Sequence, residues 1–127
     1  MNFKELKELD LYNNKISDIK ILENVKFEKL EELNLGKNNI SNIDILEKAN
    51  FKELIILFLA KNKISDIKVL EKVKFEKLEK LNLSLNKISD INILEKVNFK
   101  ELKELNLSSN RISYIKLKNI IDKIIIK

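Results

Sequence analysis

The sequence lacks cysteine, histidine and proline, and it has a single glycine, Gly36. Without cysteine the chain cannot form a disulfide framework or a thiolate metal site. Without histidine it lacks the side chain that most often acts as a general base or binds a metal. One glycine cannot form the glycine-rich loop that holds a phosphate group in nucleotide-binding proteins. These absences predict a protein that is not an enzyme and that uses no cofactor or metal.

The basic residues are almost all lysine, and their excess over the acidic residues is small. The chain has 25 Lys and Arg against 20 Asp and Glu, and Arg111 is its only arginine. Arginine is the preferred partner of phosphate and guanine, so this composition argues against a nucleic-acid ligand. No apolar run approaches the roughly 20 residues of a membrane span, and the first residues do not resemble a signal peptide. We therefore predict a cytoplasmic protein without a membrane segment.

One pattern repeats five times along the chain with a period of 24 residues. Phenylalanine begins every unit, and Phe58 is the only phenylalanine outside that series. Leucine then recurs at three fixed positions of the unit. The rows are Phe3, Phe27, Phe51, Phe75 and Phe99; Leu6, Leu30, Leu54, Leu78 and Leu102; Leu9, Leu33, Leu57, Leu81 and Leu105; and Leu11, Leu35, Leu59, Leu83 and Leu107.

Each unit reads F-x-x-L-x-x-L-x-L-x-x-N-x-I-x-x-I, and four units continue x-x-L-x-x-V/A. The segment L-x-x-L-x-L-x-x-N-x-I resembles the leucine-rich repeat. The continuation I-S-D-I-x-x-L, as in Ile64 to Leu70, is similar to the units of type-1 phosphatase regulatory subunits and bacterial internalins. The resemblance implies an α/β leucine-rich-repeat solenoid, with a short parallel sheet on its concave face and short helices or 3₁₀ turns on its convex face.

The spacing within a unit explains how such a solenoid would form. One unit cannot bury its own apolar face, so successive units must stack and bury each row against the same row of the next unit. The period of two around Leu9 and Leu11 predicts a short strand. The spacing of three from Ile16 through Ile19 to Leu22 predicts a short helix or 3₁₀ segment on the convex side.

Polar residues at fixed positions are given structural roles. An asparagine follows the strand in every unit, and in the resembling repeats this side chain bonds backbone groups of the turn, forming a ladder. The row consists of Asn14, Asn38, Asn62, Asn86 and Asn110. The predicted N-caps of the convex segments are Ser17 and Asp18, Ser65 and Asp66, and Ser89 and Asp90.

We predict one domain over residues 1–127. Its five units begin near residues 3, 27, 51, 75 and 99, and 116–127 is a divergent C-terminal cap. In that segment Ile120, Ile121, Ile124 and Ile125 fall on one face of a helix. Ile126, however, follows Leu102 by 24 residues, so a fragment of a longer array, with uncapped ends that self-associate, stays open as an alternative.

The outward positions of the strands form the concave face in leucine-rich repeats. They are largely polar in four units, but the third unit has Ile56, Phe58 and Ala60 there. A central apolar spot with a polar surround is the layout of a protein-binding hot spot. We therefore predict a protein-binding site formed by Ile56, Phe58, Ala60, Glu32, Asn34, Lys80, Asn82, Asp10 and Tyr12. Burial of Ile56 and Phe58 in a partner is expected to contribute on the order of 3–5 kcal/mol.

Other interpretations of the same features stay open. Ile56 and Phe58 would also be found on the surface by neutral drift or for self-association of the chain. The family resemblance suggests a regulatory subunit of a larger enzyme complex, and the repeat array suggests a scaffold. After the strand turns, Leu85 is an exposed apolar candidate. A basic row there, formed by Lys15, Lys63, Lys87 and Arg111, is interpreted as solvated surface rather than as a ridge for an acidic or phosphate-bearing partner.

Overall fold

A computed structural model describes the backbone of residues 3–125, with the side chains at 121 and 123–125 left out. Ile126, on which the sixth-unit alternative depends, lies outside the described residues, as do the side chains of Ile121, Ile124 and Ile125. Strands, 3₁₀ helices (η) and one α-helix follow in this order: β1 (Glu8–Asp10), η1 (Lys20–Glu23), β2 (Glu32–Asn34), η2 (Asp44–Glu47), β3 (Ile56–Phe58), η3 (Lys68–Glu71), β4 (Lys80–Asn82), η4 (Asn92–Glu95), β5 (Glu104–Asn106) and α1 (Tyr114–Ile125).

The strands form one parallel sheet in chain order, β1 to β5. Each residue pairs with the residue at the same position of the next unit, so Leu9 pairs with Leu33 and Leu33 with Leu57. Because every strand neighbours the next strand along the chain and runs in the same direction, each unit returns over the convex side through its 3₁₀ helix. This is the predicted α/β solenoid.

The core lies between the sheet and the 3₁₀ helices. In the three middle units the leucine rows are at most 1% exposed. In the first unit Leu6, Leu9 and Leu11 are only half-buried, because they pack against a neighbouring unit on one side. The phenylalanine row forms a column along the solenoid, with ring centroids 5.8 to 6.3 Å apart.

The asparagine ladder is confirmed. The amide nitrogen of Asn62 donates hydrogen bonds to the carbonyls of Leu59 and Ala60 in its own turn, and to Leu35 of the preceding unit at 3.0 Å. Its Oδ1 accepts the backbone N–H of Ile40, also in the preceding unit, at 3.0 Å. The side chain therefore completes its own turn and joins that turn to the unit before it. Asn38, Asn86 and Asn110 do the same.

The predicted N-caps of the 3₁₀ helices are wrong in position. The cap residues are the isoleucines of the motif, such as Ile19, and they make no side-chain cap bond. Asp18, one residue earlier, accepts the backbone N–H of Lys20 at 2.9 Å. The same bond recurs at Asn42, Asp66 and Asp90. The carboxylate or amide thus forms an Asx turn that leads into the helix.

The last unit departs from the repeat because α1 takes the place of a 3₁₀ helix. Ile115 continues the Ile19 row in the sequence, yet it is 72% exposed. Ile120 is buried and Leu117 half-buried, and α1 packs against η4. The unit boundaries and the role of 116–127 as a cap stay predictions. Within residues 3–125 no helix is both long and apolar enough to cross a membrane, and the cytoplasmic location stays a prediction.

Candidate protein-binding face

The middle strand β3 carries the two large apolar side chains of the concave face. The strand register places each of them between two polar side chains, as the sequence predicted. The neighbours are Glu32 and Lys80 for Ile56, and Asn34 and Asn82 for Phe58. The structure thus brings seven of the nine predicted site residues onto β2, β3, β4 and the residue that follows β3. Asp10 and Tyr12 lie at the N-terminal edge, beside Asn34 and Gly36.

Phe58 separates two shallow hollows on the concave face. The larger hollow, about 310 Å³, lies over β4 and β5 and is lined by Lys80, Asn82 and Glu104 together with Phe58. The smaller hollow, about 100 Å³, lies over β1 and β2, and Phe58 is also part of its wall. The aromatic side chain therefore forms a ridge across the middle of the sheet, with polar walls on both sides.

The central side chains are less exposed than the sequence predicted. Ile56, Phe58 and Ala60 are half-buried, because each has a neighbouring strand on both sides of a short sheet. Part of their apolar surface is therefore already covered in the free protein. Burial in a partner would contribute roughly 1–2 kcal/mol, less than the value expected from full exposure.

Two positions at the ends of the strands, predicted to be outward and exposed, are buried. Gly36 lies under the ring of Tyr12, since a Cβ atom on Gly36 would be 3.2 Å from Tyr12 Cδ1. Ser84 is 6% exposed, and its hydroxyl donates to Asn82 Oδ1 at 2.7 Å. Tyr12 is itself 44% exposed and remains available for contact. The only glycine of the chain, directly beside an aromatic residue in the strand register, was the sequence signal for this packing.

A polar residue ends the strand in every unit except the third. Asn34, Asn82 and Asn106 each accept, through Oδ1, the backbone N–H two residues later, at 2.9 to 3.0 Å. Asp10 makes the same bond in the first unit. Phe58 occupies this position in the third unit and has no acceptor to offer Ala60. The third unit thus lacks a hydrogen bond worth about 0.5–1.5 kcal/mol and has an aromatic side chain instead.

Ion pairs on the surface join neighbouring units. Lys29 Nζ donates to Glu5 Oε2 at 2.9 Å, and this bond lowers the pKa of Glu5 and raises the pKa of Lys29. On the concave face, Lys80 Nζ is 4.0 Å from Glu104 Oε1. Further pairs are Glu23–Lys48, Glu53–Lys77 and Glu79–Lys103. Among the described residues no group of three potential ligand side chains is arranged to hold a metal ion.

Three comparisons with known proteins agree with this geometry. Models described as leucine-rich repeats match residues 4–48 and 28–72, residues 76–91 and residues 101–122. An internalin from Listeria monocytogenes is similar with a TM-score of 0.74 and 30% identity, over 95% of this chain and 33% of its own. Internalin C2 from the same organism has a TM-score of 0.74 and 26% identity, over 95% of this chain and 50% of its own.

A structure from Drosophila melanogaster, the SNF/U2A′ complex, is similar with a TM-score of 0.70 and 24% identity, over 92% of this chain and 67% of that chain. At this identity the likeness concerns the fold alone. The present chain spans between a third and a half of the length of the two internalins. The search of curated proteins gave no match.

Proposed function

The chain belongs to the leucine-rich repeat family, and from this premise we propose that it is a non-enzymatic module that binds a partner protein on the concave face of its sheet. Domains of this family generally mediate protein–protein interaction, and the similar Drosophila structure is itself a complex. The proposed contact residues are the nine predicted from the sequence, with Phe58 and Ile56 at the centre.

The observation that carries the proposal is the exchange at Phe58. Four units end their strand with a side chain that bonds the backbone two residues later, and the central unit does not. The fold gains no buried core residue in return, because Phe58 is half-buried and points to the concave side. A ligand that packs against the ring is a reason to keep it there.

The two hollows suggest how a partner would be held. An apolar side chain of the partner would fill the larger hollow against Phe58, and polar groups would reach Lys80, Glu104 and Asn82 in its walls. A small apolar centre with a polar periphery that excludes water is the usual layout of an interface whose affinity depends on few residues. Tyr12 and Asp10 would extend the contact towards the first unit.

The test is a pull-down from cells of the source organism with immobilised protein, read by mass spectrometry. The variant Ile56→Glu with Phe58→Asn gives the third unit the residues that Glu32 and Asn34 provide in the second unit, so the repeat tolerates both. The control is Ile21→Glu, which removes an exposed apolar side chain from the convex side, where Ile21 is 67% exposed. Circular dichroism checks that each variant is folded.

We expect a partner that binds the wild type and the convex control and is lost by the concave variant. Equal recovery by all three proteins would contradict binding on this face, and loss by both variants would point to a general surface effect. Light scattering at tens of micromolar tests self-association through the same residues. An oligomer that the concave variant dissociates would assign the patch to a second copy of the chain instead.

A further inference from the structure

The turn after each strand forms one edge of the solenoid, which we call the rim, and the positive charge of the chain is concentrated there. The rim comprises residues 11–17, 35–41, 59–65, 83–89 and 107–113. It contains no acidic residue and six basic ones: Lys15, Lys37, Lys61, Lys63, Lys87 and Arg111. Removing these six from the 25 basic residues of the chain leaves 19, against 20 acidic residues. The net charge of +5 therefore resides on one edge.

The cations of the last three units lie in register. The backbone N–H of Lys63 donates to Ile40, that of Lys87 to Ile64 and that of Arg111 to Ile88, each at 2.8 Å. These bonds continue the stacking of the units beyond the sheet, so the three residues occupy equivalent positions at about the 4.8 Å spacing of paired strands. All three are exposed. Within the described part of the chain, none of the six rim cations forms an ion pair.

Leu85 is the exception in the composition of the rim. Its position requires a positive φ in every unit, and Leu85 itself has φ 57°. The other units have Asn13, Lys37, Lys61 and Ser109 there. The left-handed region is strained for a residue with a bulky side chain and is best tolerated by asparagine. Leu85 is also 46% exposed, so it combines backbone strain with an unburied apolar side chain.

Leu85 lies among the cations. The N–H of Lys61 donates to Ser84, and the N–H of Leu85 donates to Ser108, which places Lys61 and Leu85 at equivalent positions of adjacent turns. Lys87 follows two residues later. An apolar side chain that the fold strains and does not bury, set among like charges that repel one another, has no stabilising role within the chain. A ligand that offers both apolar surface and negative charge would satisfy the two features together.

We propose that the rim around Leu85 binds an acidic protein segment that carries an apolar side chain between carboxylates. The apolar side chain packs on Leu85, and the carboxylates pair with Lys61, Lys63, Lys87 and Arg111. Leu85 favours a protein segment over a polyphosphate or a nucleic acid, because a phosphate chain has no apolar side chain to bury. Single-stranded nucleic acids also require aromatic side chains for base stacking, and residues 59–65, 83–89 and 107–113 contain none. This site does not depend on the concave face.

The test uses a fluorescein-labelled synthetic peptide in which one leucine lies between two pairs of glutamates, with binding measured by fluorescence anisotropy. The rim variant combines Lys63→Glu, Lys87→Glu and Arg111→Glu. Its matched control combines Lys20→Glu, Lys68→Glu and Lys74→Glu, which makes the same change in net charge away from the rim. We expect the rim variant to weaken binding about tenfold or more and the control about twofold or less, with salt weakening the wild-type complex.

Leu85→Asn separates the role of the side chain from folding. Asparagine suits the left-handed backbone, so the melting temperature should stay the same or rise while peptide affinity falls about fivefold. Replacing the leucine of the peptide with serine should cause a similar loss in the wild type and little further loss in the variant. The proposal is overturned by absent binding at low salt, by equal losses in rim and control variants, or by an affinity that Leu85→Asn leaves unchanged. Inorganic polyphosphate that binds as tightly as the peptide would equally refute the protein-segment assignment.

Discussion

The inward and the outward side chains of the strands differ in how freely they vary. Leu33, Leu57 and Leu81 point inward, are the same residue in each unit and are at most 1% exposed. The residues directly after them, Asn34, Phe58 and Asn82, point to the concave side and are half-buried. An inward residue packs against its own copies in two neighbouring units, so a change in one unit disturbs two interfaces. An outward residue lacks this restriction, and departures from the repeat therefore concentrate on the outward side.

The largest effect is expected from an inward substitution in the middle of the array. Leu57→Ala leaves a cavity between three stacked units and should lower the free energy of unfolding by about 2–5 kcal/mol. Leu9→Ala, at the same position of the first unit, should cost clearly less because Leu9 is half-buried. Urea unfolding followed by circular dichroism measures both. Equal losses would show that the units do not depend on their neighbours as the packing indicates.

The asparagine ladder gives a second comparison between equivalent positions. Asn62→Ala removes bonds to Leu35, Leu59, Ala60 and Ile40 in a buried turn and should cost about 2–4 kcal/mol. In the exposed first turn, the side chain of Asn14 donates to the carbonyl of Tyr12, and Asn14→Ala should cost less than about 0.5 kcal/mol. The same unfolding measurement applies. A small loss for Asn62→Ala would mean that water replaces the ladder.

An outward substitution at Phe58 tests the exchange of a hydrogen bond for an aromatic ring. Phe58→Asn should change the free energy of unfolding by no more than about 1 kcal/mol, because the restored bond to the N–H of Ala60 offsets the lost packing. Phe58→Ala loses the packing without restoring the bond, so it should be less stable than Phe58→Asn by about 1 kcal/mol. If the two variants are equally stable, the strand-end bond contributes nothing in the third unit.

The smallest effect concerns a surface ion pair. The hydrogen bond and charge of Lys29 lower the pKa of Glu5, so Lys29→Gln should raise that pKa towards its ordinary value. The folded pKa lies below that of the unfolded chain, so the pair stabilises the fold above the unfolded value and ceases to do so as the pH falls through the folded value. NMR titration of the Glu5 side chain measures the shift. An unchanged pKa in the variant would show that the pair is absent in solution.

The period of the sequence was sufficient to predict the stacking. It gave the order of the strands, their register, the asparagine ladder and the polar neighbours of Ile56 and Phe58, because all of these follow from one unit being superimposed on the next. The period does not contain the curvature of the sheet or the side-chain rotamers. The half-burial of Phe58 and the cover of Tyr12 over Gly36 therefore came only from the structure.

Backbone conformation was the other feature that the pattern could not predict. The positive φ at Leu85 belongs to a turn position occupied by asparagine, lysine, leucine and serine in different units, and this mixture hides the shared geometry. The Asx turn before each 3₁₀ helix was expected one position away from where its isoleucine cap lies. In both cases the residue types were noticed, but their dihedral angles had no signature in the sequence.

The asparagine ladder also has a direction, with a consequence for the order in which the chain folds during synthesis. Asn38 accepts the N–H of Ile16 and donates to the carbonyl of Leu11, both in the unit before it. A unit leaving the ribosome therefore has an incomplete turn until the next 24 residues have emerged. At about 5–20 residues per second, each turn would wait on the order of one to five seconds for its successor. Folding would then advance from the first unit to the last, one unit behind translation.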